Sequence, residues 1–185
     1  MKQTMARKSL NTPAIAQTGF TLIELVAVIV LLGVLAVTAL PRFVDLRSDA
    51  LSGTVNGTGG ALRSAVQLAH TKWLAMGSPA SLADRNDVQL WGNTTAGQID
   101  FNTAGWPAQS YAGPDTILHT NNTNDCISLW GALIEGTSLT VSTNTTTDYR
   151  VTHSSGTCTY ILNAQSGYRI IYDSNTGEVV IDTTI

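Results

Sequence analysis

Charge is scarce in this chain. Of 185 residues only 12% are Asp, Glu, Lys or Arg, about half the share in an ordinary globular protein. The ten Lys and Arg are scattered and form no basic stripe, so no nucleic-acid partner is expected, because phosphate binding rests on clustered cations. Catalytic signatures are also missing. Neither a Gly-x-Ser-x-Gly elbow nor a P-loop occurs, and His70, His119 and His153 lack metal-ligand spacing. No enzyme, cofactor or metal centre is expected. Asp84, Asn86 and Asp87, or residues 121–125, could offer oxygens to calcium, but neither stretch matches a defined ligand pattern, and Asn/Asp clusters are ordinary in turns. Three formal glycosylation sequons, at Asn93, Asn121 and Asn144, lie in Thr/Asn-rich stretches where such matches arise by chance and where polar residues solvate a surface. Cysteine is nearly absent: Cys126 and Cys158 are the two in the chain. They are either one disulfide or two free thiols, depending on whether the chain leaves the cytosol. No solenoid-type repeat is present.

What the chain has is apolar residues, 43% of the total, concentrated between 20 and 40. As a helix this run would extend about 32 Å at ~1.5 Å per residue, enough to cross a hydrocarbon core about 30 Å thick. Ahead of it lies a polar leader holding Lys2, Arg7 and Lys8 and no acid. That order is the reverse of an ordinary secretory signal, in which the apolar stretch precedes the cut and is discarded. The basic leader favours an N-terminus in the cytoplasm with the remainder outside. Removal of residues 1–19 leaves seven Lys and Arg against thirteen Asp and Glu, a mildly acidic product. Export of residues 42–185 favours the Cys126–Cys158 disulfide over two free thiols.

Glu24 stands alone in the apolar run. A carboxylate there costs a few kcal/mol near the bilayer centre and is usually paired or functional. It lies four residues, or about 6 Å of helix rise, from Phe20. A cut after Gly19 would give Phe20 a new ammonium near the same depth, where attraction in low dielectric is strong, and the helix dipole favours an acid in the first turn. Between staggered copies the same pair would set register. The plainer reading is an acid that reaches the interface without a partner.

The string GFTLIELVAVIVLLGVLAVTALP, residues 19–41, resembles the N-terminus of type IV prepilins and of type II secretion pseudopilins. The resemblance implies cleavage after Gly19 by a prepilin peptidase, methylation of Phe20, and use of Glu24 with the Phe20 amine in subunit assembly. Pro41 removes a backbone hydrogen bond and favours a kink, while Gly33 adds looseness. In this family helical order is often lost between such positions in the filament. The resemblance also implies three parts: a leader at 1–19, a transmembrane and assembly helix at 20–41, and a periplasmic or extracellular globular domain at 42–185. The implied partners are other pilin subunits, the peptidase, an inner-membrane assembly platform and the membrane itself. The precursor would reside in the inner membrane and the product in an extracellular pilus.

Downstream, Val55, Leu62, Val66, Ala69 and Trp73 recur at helical spacing and predict one apolar face, ended by Gly77-Ser78-Pro79. Gly53 and Gly57 are either a site of close helix contact or a weak, bent stretch. Residues 77–123 read as a long irregular region pinned by Trp91, Phe101, Trp106 and Tyr111. A short helix then starts with Asn124 or Asp125 as its cap. Alternation predicts strands at 138–142, 148–153, 158–163, 168–172 and 178–182, joined by short turns as an antiparallel meander under the amphipathic helix. The fold class is α+β, similar to the pilin fold. The segments around Asn124-Asp125-Cys126 and the closing hairpin look like mannose-sensitive haemagglutinin pilins in particular. The function implied is a structural subunit of a type IV pilus, major or minor, in surface adhesion or motility. The alternatives are a secretion pseudopilin or a tip-located binding module.

Overall fold

The computed structural model describes residues 19–111, 113, 118–134, 136 and 138–184, with residues 40–45 as backbone only. The architecture is α+β. Helix α1 is assigned over Leu22–Ala75, and the chain divides into two compact units, Met1–Asp45 and Leu46–Ile185.

In the first unit, Leu22–Ala39 has a mean hydropathy of 2.8, and none of it is buried. Phe20, Leu22 and Ile23 are among its most exposed side chains. The backbone is helical through Gly33 and Pro41.

In the second unit the apolar spacing read from the sequence forms the inner face of α1. Val55, Leu62, Val66 and Ala69 are fully buried, and Trp73 packs at the edge of the same core. Gly53 and Gly57 lie on the outer face with nothing near them. The close approach is instead at Gly59, where an added Cβ would run into Ile181. The helix ends in a Schellman motif, with Ser78 N–H donating to Trp73 O and Gly77 N–H to Leu74 O, Gly77 taking φ +85°.

The stretch expected to be irregular contains structure of its own: α2 (Leu82–Arg85), β1 (Val88–Gln89), β2 (Gln98–Phe101) and β3 (Pro107–Gln109). The three strands form an antiparallel sheet in the order β1-β2-β3. They are two to four residues long, too short to display a period of two. Of the expected aromatic anchors, Phe101 is fully buried, whereas Tyr111 is exposed. Trp106 stacks on His70 with centroids 3.9 Å apart, and Trp73 also stacks on His70, at 5.5 Å. The His70 Nδ1–H donates to Gly105 O at 2.8 Å, tying α1 to the loop before β3.

Helix α3 spans Thr123–Leu133. Its cap is Asn122, neither Asn124 nor Asp125: the Asn122 side chain accepts from Asn124 N–H and Asp125 N–H, while Asp125 accepts from Asn122 N–H. Asp125 is therefore the third helical residue of a capping box.

The main sheet runs β4 (Val141–Ser142), β5 (Tyr149–Ser154), β6 (Thr157–Leu162), β7 (Arg169–Asp173) and β8 (Glu178–Asp182), paired in that order. Strands β5 to β8 are the expected antiparallel meander. The first pair departs from it: β4 and β5 are parallel. The six residues between them reverse direction twice in a loop fastened by Asn144, whose side chain accepts from Thr146 N–H, and by Asp148, which accepts from the Thr140 amide and hydroxyl. Cys158, Tyr160 and Leu162 alternate inward along β6, joined by Tyr149, Val151, Ile170, Tyr172 and Val179. The buried phenols of Tyr160 and Tyr172 donate to Cys126 O and Pro107 O, so these inner-face hydroxyls are satisfied.

Two glycine substitutions on one helix separate its faces. Gly57→Ala, in open space, should raise stability by up to about 1 kcal/mol, whereas Gly59→Ala should lower it because Ile181 must move. Equilibrium unfolding followed by tryptophan fluorescence reads both; equal effects would contradict the packing described.

Candidate functional site

The peptide between Gly19 and Phe20 lies in exposed, non-helical backbone just before α1. The helix starts with a capping box. Glu24 N–H donates to the Thr21 hydroxyl at 3.3 Å, and Glu24 Oε2 accepts from Thr21 N–H at 2.8 Å and from the Thr21 hydroxyl at 2.8 Å. Two orphan amides of the helix start are thereby satisfied. The single acid of the apolar run is thus aimed back toward the chain's N-terminal side, one residue from the Phe20 nitrogen. The signal for this cap is the Thr-x-x-Glu spacing at 21–24, which lies in the sequence beside the charge of Glu24. Gly33 has no neighbour within 4 Å of where a Cβ would stand, and the side chain of Pro41 lies outside the described residues.

In the second unit Cys126, in the first turn of α3, is bridged to Cys158 on β6, with Cα atoms 5.5 Å apart. The bridge joins α3 to the middle of the main sheet across 32 residues of sequence.

The remaining polar clusters are turned inward on local structure. Asp84 accepts from the Ser81 hydroxyl, Asp87 from Gly113 N–H, and the Asn86 amide donates to Gly113 O. Residues 121–125 are used by the α3 cap. His153 Nε2 accepts from Gly156 N–H, and His119 is exposed and distant in sequence from both other histidines. Among the described residues no three His, Cys, Asp or Glu side chains gather as metal ligands.

One exposed ion pair closes the last hairpin. Arg169 reaches Asp182 at 2.6 Å, and Thr184 also donates to the same carboxylate. The Thr184 hydroxyl and Arg169 together hold the Asp182 carboxyl at about 2. Asp148 is likewise lowered, by the Thr140 amide and hydroxyl.

A family model described as the prokaryotic N-terminal methylation motif matches residues 16–40. The N-terminal part of this chain is type IV pilin-like. The major component of a type IV narrow pilus of Thermus thermophilus, PilA5, is 53% identical over 51 residues, which cover 28% of this chain and 44% of that relative. The chain therefore spans less than half of that relative's length. No solved structure matches. The family model concerns the start of the chain, and the domain from Leu46 onward is described by its own α+β fold.

Two outcomes test this domain. Replacing Cys126 and Cys158 with serine should lower unfolding stability by about 2–4 kcal/mol, read from denaturant midpoints of the oxidised and serine forms. The Asp182 carboxyl is lowered on folding, so its contribution is complete above about pH 4 and is lost as the pH falls through about 2. Asp182→Asn should flatten that part of the melting-temperature profile. An unchanged profile would contradict it.

Proposed function

We propose that this chain is the precursor of a structural subunit of a type IV pilus. The reading rests most heavily on one observation: Leu22–Ala39, immediately inside the methylation motif, is apolar and unburied. Such a helix needs a bilayer or other copies of itself around it.

In this reading the precursor waits in the inner membrane with its basic leader in the cytoplasm. A prepilin peptidase cuts after Gly19, and Phe20 becomes the methylated first residue. The new ammonium lies beside a carboxylate that the Thr21 cap already points toward it. As the subunit moves from the assembly platform into the fibre, lipid contacts of the helix are exchanged for contacts with neighbouring helices. Glu24 then pairs with the Phe20 amine of a neighbour, because two charges in low dielectric are tolerated only together. Gly33 and Pro41 are the positions at which the helix yields as it packs. The Cys126–Cys158 bridge holds the exported domain closed outside the cell. The likeness of the sequence around Asn124-Asp125-Cys126 to haemagglutinin pilins supports a role in attachment or motility at the cell surface.

Mass spectrometry of the subunit from sheared surface fibres should give Phe20 as its first residue, carrying one added methyl group. Glu24→Ala and Glu24→Lys precursors should insert and be cleaved yet yield few fibres. Fibre yield equal to that of the parent chain would end the pairing.

A further inference from the structure

The start of α1 does more than orient Glu24. Helical hydrogen bonding begins where Leu25 N–H donates to Thr21 O, which makes Thr21 the cap. A helix begun one residue earlier would use Glu24 N–H as the donor to Phe20 O. That amide goes instead to the Thr21 hydroxyl at 3.3 Å. Thr21 N–H is tied in turn to Glu24 Oε2 at 2.8 Å, so the box is closed from both sides. Gly19 and Phe20 are left exposed and outside the helix. Gly19 is itself an acceptable cap, since glycine ranks beside threonine at that position. Without the Thr21 hydroxyl the start can move back to Gly19. Gly19 O would then accept from Ile23 N–H and Phe20 O from Glu24 N–H, wrapping the Gly19–Phe20 peptide into the first turn.

A motif for N-terminal methylation spans these residues, and methylating an N-terminus needs a free α-amine. In the cleavage proposed above, water adds to the Gly19 carbonyl carbon and the C–N bond to Phe20 breaks. The products are a Gly19 carboxylate and a Phe20 ammonium. A Gly19 carbonyl that already accepts a helical hydrogen bond, with the turn closed around it, is poorly placed for that attack. We infer that Thr21 is a positioning residue for the peptidase: its hydroxyl fixes the helix start just past the scissile peptide and so keeps that peptide open to hydrolysis. This rests on the cleavage reading and adds to it a residue that sets how readily the precursor is cut.

The test uses the full precursor in detergent micelles with purified prepilin peptidase, as the parent chain, Thr21→Val and Thr21→Ser. Valine keeps the shape of threonine without the hydroxyl, and serine keeps the hydroxyl. When only the open start is cut, depleting it raises KM and leaves kcat unchanged. A lost cap of typical strength moves such an equilibrium about fivefold, so Thr21→Val should raise KM several-fold and Thr21→Ser should restore it. In the uncut Thr21→Val precursor the Phe20 Cα resonance should move toward helical values. Equal KM for the parent and Thr21→Val overturns the inference, as does failure of Thr21→Ser to restore it. So does a raised KM with Phe20 still non-helical, since the peptidase would then read the hydroxyl itself. A parent precursor that the peptidase leaves whole ends the cleavage reading, an outcome distinct from a parent that is cut no better than Thr21→Val.

Discussion

An apolar helix with no cover governs this molecule. Leu22–Ala39 presents its side chains to the outside around the whole circumference. A helix that is hydrophobic all round is stable only inside something apolar. Its backbone is satisfied internally, as a bilayer demands, and the Thr21–Glu24 box satisfies part of the helix start as well. In the proposed precursor the helix can therefore leave a bilayer only for surroundings of similar polarity. In the proposed fibre those surroundings are other copies, and Glu24 is the one group that makes the exchange selective.

In the proposed fibre the globular domain answers a different requirement, which is to remain folded outside the cell while attached to that helix. Its core is built where α1 lies on the main sheet: Val55, Leu62, Val66 and Ala69 meet inward side chains of β5 to β8, and Gly59 lets Ile181 come close. The disulfide then fastens α3 to β6 on the same sheet. Tyr160 connects the two devices, since it is buried on β6 and its hydroxyl donates to the carbonyl of Cys126. Burial pushes that phenol's ionisation well upward, so it remains a donor.

Legibility in the sequence followed the length of the signal. The apolar run could be read directly because its length and composition leave few alternatives to an exposed apolar helix. The face of α1 from Val55 to Ala69 and the strand alternation at 158–162 were readable because each period repeats several times. The strands between 88 and 109 were hidden. They are held by pairing and by buried residues such as Asp100 and Phe101, over spans too short for a pattern. The parallel β4–β5 pair escaped because neighbouring strands usually pair antiparallel, and here side chains of Asn144 and Asp148 override that tendency. The α3 cap was misplaced by two residues or more because Asn121, Asn122, Asn124 and Asp125 are all plausible caps, and only the hydrogen bonds distinguish them.

The most direct measurement is a helical reconstruction by electron cryomicroscopy of fibres bearing this chain. The account predicts that residues 22–39 of successive copies form a continuous bundle along the fibre axis, with Glu24 within hydrogen-bonding distance of a neighbour's Phe20 nitrogen and the globular domains outside. A fibre whose axis is occupied by globular domains, or in which these helices are exposed to water, would contradict it.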